Sequence, residues 1–282
     1  MTAQRPQREP DRDDTDEPAA SGGRRLRILY IAGAQHCGST LLDAVLGNAP
    51  ESFSLGEVGG FQRYVGGQEC DCRRPAASCA PCQAVLTGLA TVPGLAMFHS
   101  VAPGPLRERR IHWSFIGTRA RAAYARVADD LFDAVAAHTG STVLVDSSKN
   151  IGRAAALVHD SRHDVRVVHL VRDGRGYVRS RRRRAARIRL QHKLPLAIVP
   201  WLAKNLTLWA VVRRRAPAGR YLLCRYEDLV ADPEGELARI GRFADMDTSG
   251  LAEAATGGGL PRGHLFEPRR RVDYRVVRLD PG

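Results

Sequence analysis

At 282 residues, with 44% hydrophobic and 26% charged, the chain has the make-up of an ordinary globular protein with one full core, which argues against a second large domain. A formal net charge of +13 draws polyanions, whether nucleic acid, anionic lipid or a phosphorylated cofactor, without choosing among them. Six cysteines in a chain this long do not make a disulfide scaffold, and with no secretory leader ahead of them the expected compartment is the cytoplasm.

Met1 to Gly23 is rich in Pro, Asp, Glu and Arg and almost devoid of large apolar residues, so a disordered tail is expected there, followed by a single domain over 24–282. Leu26–Ala32 (LRILYIA) reads as a buried strand, and Ser39–Gly47 as a helix with Leu41, Leu42, Val45 and Leu46 on one side. Gly56–Gln83 is glycine- and cysteine-rich and irregular. Tyr124, Val127, Leu131 and Val135 recur at helical spacing, marking a long amphipathic helix that ends near Gly140. Strands follow at Thr142–Val145, Val165–Val171 and Tyr221–Cys224, with helices at Ile151–Val158, from Gly174 into an arginine run, and at Pro233–Phe243. Uniformly apolar strands alternating with helices predict an α/β fold: a parallel sheet, P-loop-like, with helices on both faces. Leu194–Val212 is apolar enough to raise the question of a membrane span. It holds Pro195, Pro200, Lys204 and Asn205, so a buried helix beginning near Pro200 is expected instead.

Three motifs fall at the carboxyl ends of predicted strands, where ligands bind in such sheets. Gly33-Ala-Gln-His36-Cys37-Gly38-Ser39-Thr40 has two glycines at Walker-A spacing, and its backbone amides can turn toward a phosphate at the helix N-terminus. Ser39 stands where a Walker A has lysine, which weakens a kinase or ATPase reading. A plain strand-to-helix turn is the alternative. Asp146-Ser-Ser-Lys149-Asn150 closes the next strand, either as a helix cap with a solvated lysine or as a site cation. Arg172-Asp-Gly-Arg175 leaves a third strand, with Ser180 about two helical turns on. Two guanidinium groups and a hydroxyl so placed can clamp a phosphate, or form a surface salt-bridge network.

Together these motifs resemble the sulfotransferases that use 3′-phosphoadenylyl sulfate (PAPS). The first is similar to their 5′-phosphosulfate loop, GxxRSG[ST]T, and Arg172 and Ser180 have the spacing of their 3′-phosphate site. Arg172-Asp-Gly-Arg175, Gly56-Glu57 and Lys149 resemble the tyrosylprotein sulfotransferases in particular. Arg225-Tyr226-Glu227-Asp228-Leu229, then Asp232-Pro233, resembles the YEDL…P element of bacterial members, and the likeness runs from about Leu26 to Met246. By position the resemblance implies Gly33, His36, Cys37, Gly38, Ser39 and Thr40 on the 5′-phosphosulfate. It implies Arg172 and Ser180 on the 3′-phosphate, and Arg184 and Tyr226 as further nucleotide contacts. Glu57 falls at the general base, with Lys149 and His36 as cations on the moving sulfuryl. His36 stands where the family usually has Arg or Lys, and Cys37 where it usually has Ser. The implied reaction moves a sulfuryl group from PAPS to a hydroxyl of a small acceptor such as a sugar, phenol or metabolite, without a metal.

Cys70-x-Cys72, Cys79 and Cys82 have thiolate spacing that suits zinc, a redox pair or plain loop packing; no metal is expected. Arg181–Arg184 with Arg187 and Arg189 lacks the motifs that accompany nucleic-acid readers, so a solvated or cofactor-facing helix is expected, and peripheral membrane contact stays open.

Overall fold

Apolar residues fill Arg27–Gly33, which forms β1, the middle strand of a five-stranded sheet. β2 (Ser52–Gly56), β3 (Val143–Asp146), β4 (Asp164–Val171) and β5 (Tyr221–Arg225) complete it in the order β2-β3-β1-β4-β5, every pairing parallel. The computed structural model describes residues 25–58, 75, 78, 79, 83, 87, 118–187, 198–256, 260, 261, 276 and 277. The Met1–Gly23 tail and Cys70, Cys72 and Cys82 lie outside the described residues; Cys79 is buried.

Side chains alternate across a strand, and β1 shows the consequence. Ile28, Tyr30 and Ala32 face one core, with α2 (Thr118–Thr139) and α3 (Ile151–Asp160). Leu29 and Ile31 face the other, with α1 (Ser39–Leu46), α7 (Pro233–Ala244) and α8 (Leu251–Thr256). The α/β expectation of a parallel sheet covered on both faces holds. After β4 comes α4 (Gly174–Arg187), then α5 (Ile198–Thr207), which runs into a π-helical stretch, Leu208–Arg213. A short α6 (Tyr226–Ala231) follows β5, and β6 (Leu260–Pro261) pairs antiparallel with β7 (Val276–Val277).

One expectation needs correcting. The helix near Pro200 begins at Ile198 and is not buried: Asn205, Leu208 and Val212 are covered, while Val199, Leu202 and Leu206 face solvent. Apolar content signalled burial there, but only one side of the helix meets the core. No helix among the described residues is long and apolar enough to cross a membrane.

Asp43 is sealed between α1 and β2, where Ser54 Oγ donates to its Oδ2 at 2.7 Å and Oδ1 has no partner among the described residues. Burial pushes its carboxyl up to about 8, outweighing the hydrogen bonds and the Lys149 charge that favour ionisation. The folded state therefore holds this proton where an unfolded aspartate, ordinarily near about 3.9, has lost it. The linked stability is complete below the unfolded value and disappears as pH rises through about 8. Asp43→Asn should abolish that slope, gaining on the wild type between pH ~5 and ~8 in urea-midpoint measurements. A constant difference across that range would show that Asp43 stays ionised.

Candidate active site

The strand ends bring the motifs together. Between β1 and α1 the chain turns through His36 at φ 65° and Gly38 at φ 97°, and among the described residues the N-cap position, a glycine, offers no side-chain cap. First-turn amides without a cap are the groups that bind an anion. Gly33 is required by close approach, since a Cβ would lie 2.5 Å from the Leu170 carbonyl oxygen. Gly38 is required twice, by its left-handed backbone and by the Tyr226 ring, 2.4 Å from where a Cβ would be. Cys37 and Ser39 are buried beneath the turn, and burial pushes the Cys37 thiol up despite the nearby charge of Lys149.

On one side of this loop, Arg172 leaves β4 and Ser180 comes from α4. Arg172 Nη1 donates to the His36 carbonyl at 3.4 Å, and Ser180 Oγ lies 3.3 Å from His36 Nδ1. The Arg172 guanidinium stacks on Tyr226, 4.4 Å from its ring centre. Glu227 Oε1 accepts from the Asp173 amide at 3.0 Å, and Trp201 Nε1 donates to the Arg172 carbonyl at 3.1 Å. Loop, arginine motif and YEDL element thus form one cluster. Arg184 lies on α4, but its side chain is outside the described residues.

On the other side, Glu57 follows β2 and Lys149 follows β3, and Lys149 Nζ donates to Glu57 Oε1 in an ion pair. A chain of bonds holds that pair. Asp146, fully buried, accepts from Arg153 Nε at 2.8 Å and from the Ser148 amide at 2.9 Å. Ser148 Oγ then accepts from the Val58 amide at 3.0 Å, beside Glu57, and the Ser147 amide donates to the Gly56 carbonyl at 2.9 Å. With both carboxylate oxygens engaged in the core, Asp146 is an anchor with no access to a substrate proton. Lys149 takes a left-handed backbone, φ 59°, and Asn150 caps α3 by accepting from the Arg153 amide. Non-glycine residues such as His36 and Lys149 adopt that conformation at a cost of about 1–3 kcal/mol each.

Lys204 carries no motif that marks it for chemistry in the sequence. It lies on α5 beside Trp201, Asn205 and Leu208, which tie the helix to the sheet: Asn205 Oδ1 sits 3.0 Å from His169 Nε2. Burial, then the charge of Lys149, holds the Lys204 ammonium below the usual lysine range, against the pull of Cys37 and Glu57. Among the described residues it makes no hydrogen bond or ion pair. The available signal is a lone lysine in an apolar helix, the same feature that argues against a membrane span.

The carboxyl ends of this parallel sheet thus gather Arg172, Lys149 and Lys204 around the start of α1. The chain belongs to the sulfotransferase family, whose model matches residues 29–250, and its reaction class is sulfuryl transfer. Among solved structures it is similar to a sulfotransferase domain from the curacin biosynthetic pathway, at 17% identity and a TM-score of 0.51, covering 92% of this chain and 89% of that one. It is also similar to the sulfotransferase STF1 from Mycobacterium tuberculosis H37Rv, at 15% identity and a TM-score of 0.50, covering 82% and 70%. At such identities the likeness is one of fold. No curated protein matches the sequence.

Proposed function

We propose that the protein transfers the sulfuryl group of PAPS to a hydroxyl of a small acceptor, with Glu57 as general base. The observation that carries this reading is the Glu57–Lys149 ion pair beside the Gly33–Thr40 loop. On this reading the pair supplies a proton acceptor and a cation beside the loop that would take the anion. PAPS supplies a transferable sulfuryl group and, in adenosine 3′,5′-bisphosphate, a stable leaving group.

The residues present suit that donor. The start of α1, with Ser39 and Thr40, would bind the 5′-phosphosulfate, and Gly33 and Gly38 let the loop pack closely on the Leu170 carbonyl and the Tyr226 ring. Arg172 and Ser180 would bind the 3′-phosphate, with the Tyr226 ring against the guanidinium. Lys149 and Lys204 would face the sulfuryl oxygens from two sides, and His36 would donate to the bridging region. Glu57 takes the acceptor's hydroxyl proton as the oxygen attacks. Positioning and electrostatics of this kind supply most of the catalysis in related group transfers.

Arg172→Ala tests the donor assignment. It should weaken adenosine 3′,5′-bisphosphate by about 10–150-fold, as expected for a lost charge-assisted hydrogen bond, while adenosine 5′-phosphate binding changes little. Equal losses for both ligands in calorimetry would remove Arg172 from the 3′-phosphate site.

A further inference from the structure

The outward side of α5 and its π-helical extension is apolar without being part of either core. Ile198, Val199, Leu202, Leu206 and Trp209 are 39–57% exposed, and 198, 202, 206 and 209 follow the spacing of one helical face. Most surface leucines stand singly; a contiguous stripe of five large apolar side chains marks an interaction surface. The stripe ends in Arg213, Arg214 and Arg215, all exposed. The guanidinium groups of Arg213 and Arg214 lie 5.7 and 5.1 Å from the centre of the Trp209 ring, so two cations are held at the edge of the apolar face.

We propose that this face docks the protein on an anionic lipid bilayer, the apolar stripe entering the acyl boundary and the arginines meeting phosphate headgroups. Charge decides between occupants. A second copy in a two-fold contact through Trp209 would bring the paired arginines against their own symmetry mates, a like-charge arrangement that costs affinity. An anionic bilayer satisfies both halves of the face at once: hydrocarbon for the leucines, phosphate for the guanidinium groups, and the interfacial zone for the tryptophan. The formal net charge of +13 adds attraction at longer range. Docking through this side of α5 leaves the opposite side, with Trp201 and Asn205, on Arg172 and His169. The proposal does not depend on the donor or on Glu57.

Co-flotation of the full chain with phosphatidylcholine vesicles, with and without phosphatidylglycerol, tests it. Binding is expected with the anionic vesicles, accompanied by a blue shift of emission that Trp209→Phe removes. Leu202→Gln with Leu206→Gln should lower partitioning roughly tenfold, since two apolar side chains then leave the acyl boundary. Arg213→Gln with Arg214→Gln should lower it about fivefold per arginine. Because the substituted side chains are exposed, an unchanged thermal melt will show that the variants are folded. Flotation that ignores the leucine pair would assign binding to general positive charge and overturn the proposal. So would absence of wild-type binding, or a dimer in light scattering that the leucine pair dissolves. Capture of an acidic amphipathic peptide without vesicle binding would equally hand the face to a protein partner.

Discussion

Glu57→Gln is expected to lower kcat by about 10²–10⁴-fold while leaving adenosine 3′,5′-bisphosphate affinity nearly unchanged. Glutamine keeps the size and can still accept from Lys149 Nζ, so the ion-pair geometry is the least disturbed part of the site. What it cannot do is take the acceptor's proton. Lys149→Ala and Lys204→Met should behave differently, losing donor affinity as well as rate, because on the proposed reading their charges meet the donor in the ground state too. Steady-state rates under chemistry-limited conditions, paired with calorimetry, separate the two patterns. If Glu57→Gln retains more than about a tenth of wild-type kcat, the base lies elsewhere. Asp146 would be a poor successor, since Arg153 Nε and the Ser148 amide occupy its carboxylate in the core.

That occupied carboxylate sets the largest expected effect on stability. Arg153→Met should destabilise the fold by about 3–5 kcal/mol, because it leaves the Asp146 charge in the interior without its partner. Arg153 is itself fully buried, its Nη1 donating to the Tyr124 hydroxyl at 3.0 Å. Replacing both members by apolar residues, Asp146→Leu with Arg153→Met, should recover much of the loss in urea unfolding, since a buried pair gains little over good packing. Turnover should not recover with it, because Asp146 also holds the Ser148 amide, and Ser148 in turn holds the backbone beside Glu57. A loss below about 1 kcal/mol for Arg153→Met would mean that water reaches Asp146 once the guanidinium is gone.

The central strands were legible because each is an apolar run closed by a glycine or polar residue. The structure moves their ends by no more than one residue, as in Arg27–Gly33 and Asp164–Val171. β2 was not seen: SFSLG is an edge strand with two serines, one of them turned inward to Asp43, and its pattern is too short and polar to stand out. Of the candidate site, the sequence names the loop, Glu57, Lys149, Arg172, Ser180 and Tyr226 as candidates, and the structure brings them to one end of the sheet. What the sequence could not show was which residues support them. The link from Arg153 through Asp146 and Ser148 to the backbone beside Glu57 joins positions far apart in the chain, and no local pattern encodes it. Lys204 was hidden for a related reason: periodicity tells which side of a helix is apolar, not which cation lies opposite.

The strand order also divides labour across the sheet. Read from one margin to the other, β2-β3-β1-β4-β5 delivers Glu57, Lys149, the Gly33–Thr40 loop, Arg172 and Tyr226 in turn. With strands about 4.8 Å apart, the two margins stand roughly 19 Å from each other. On the proposed reading, the β4–β5 margin deals only with the nucleotide, which is the same in every cycle, while the acceptor arrives at the β2 margin. Inherited change at the β2 margin can then alter what is sulfated without disturbing how the donor is held, so a single scaffold can pass from one acceptor to another through its descendants.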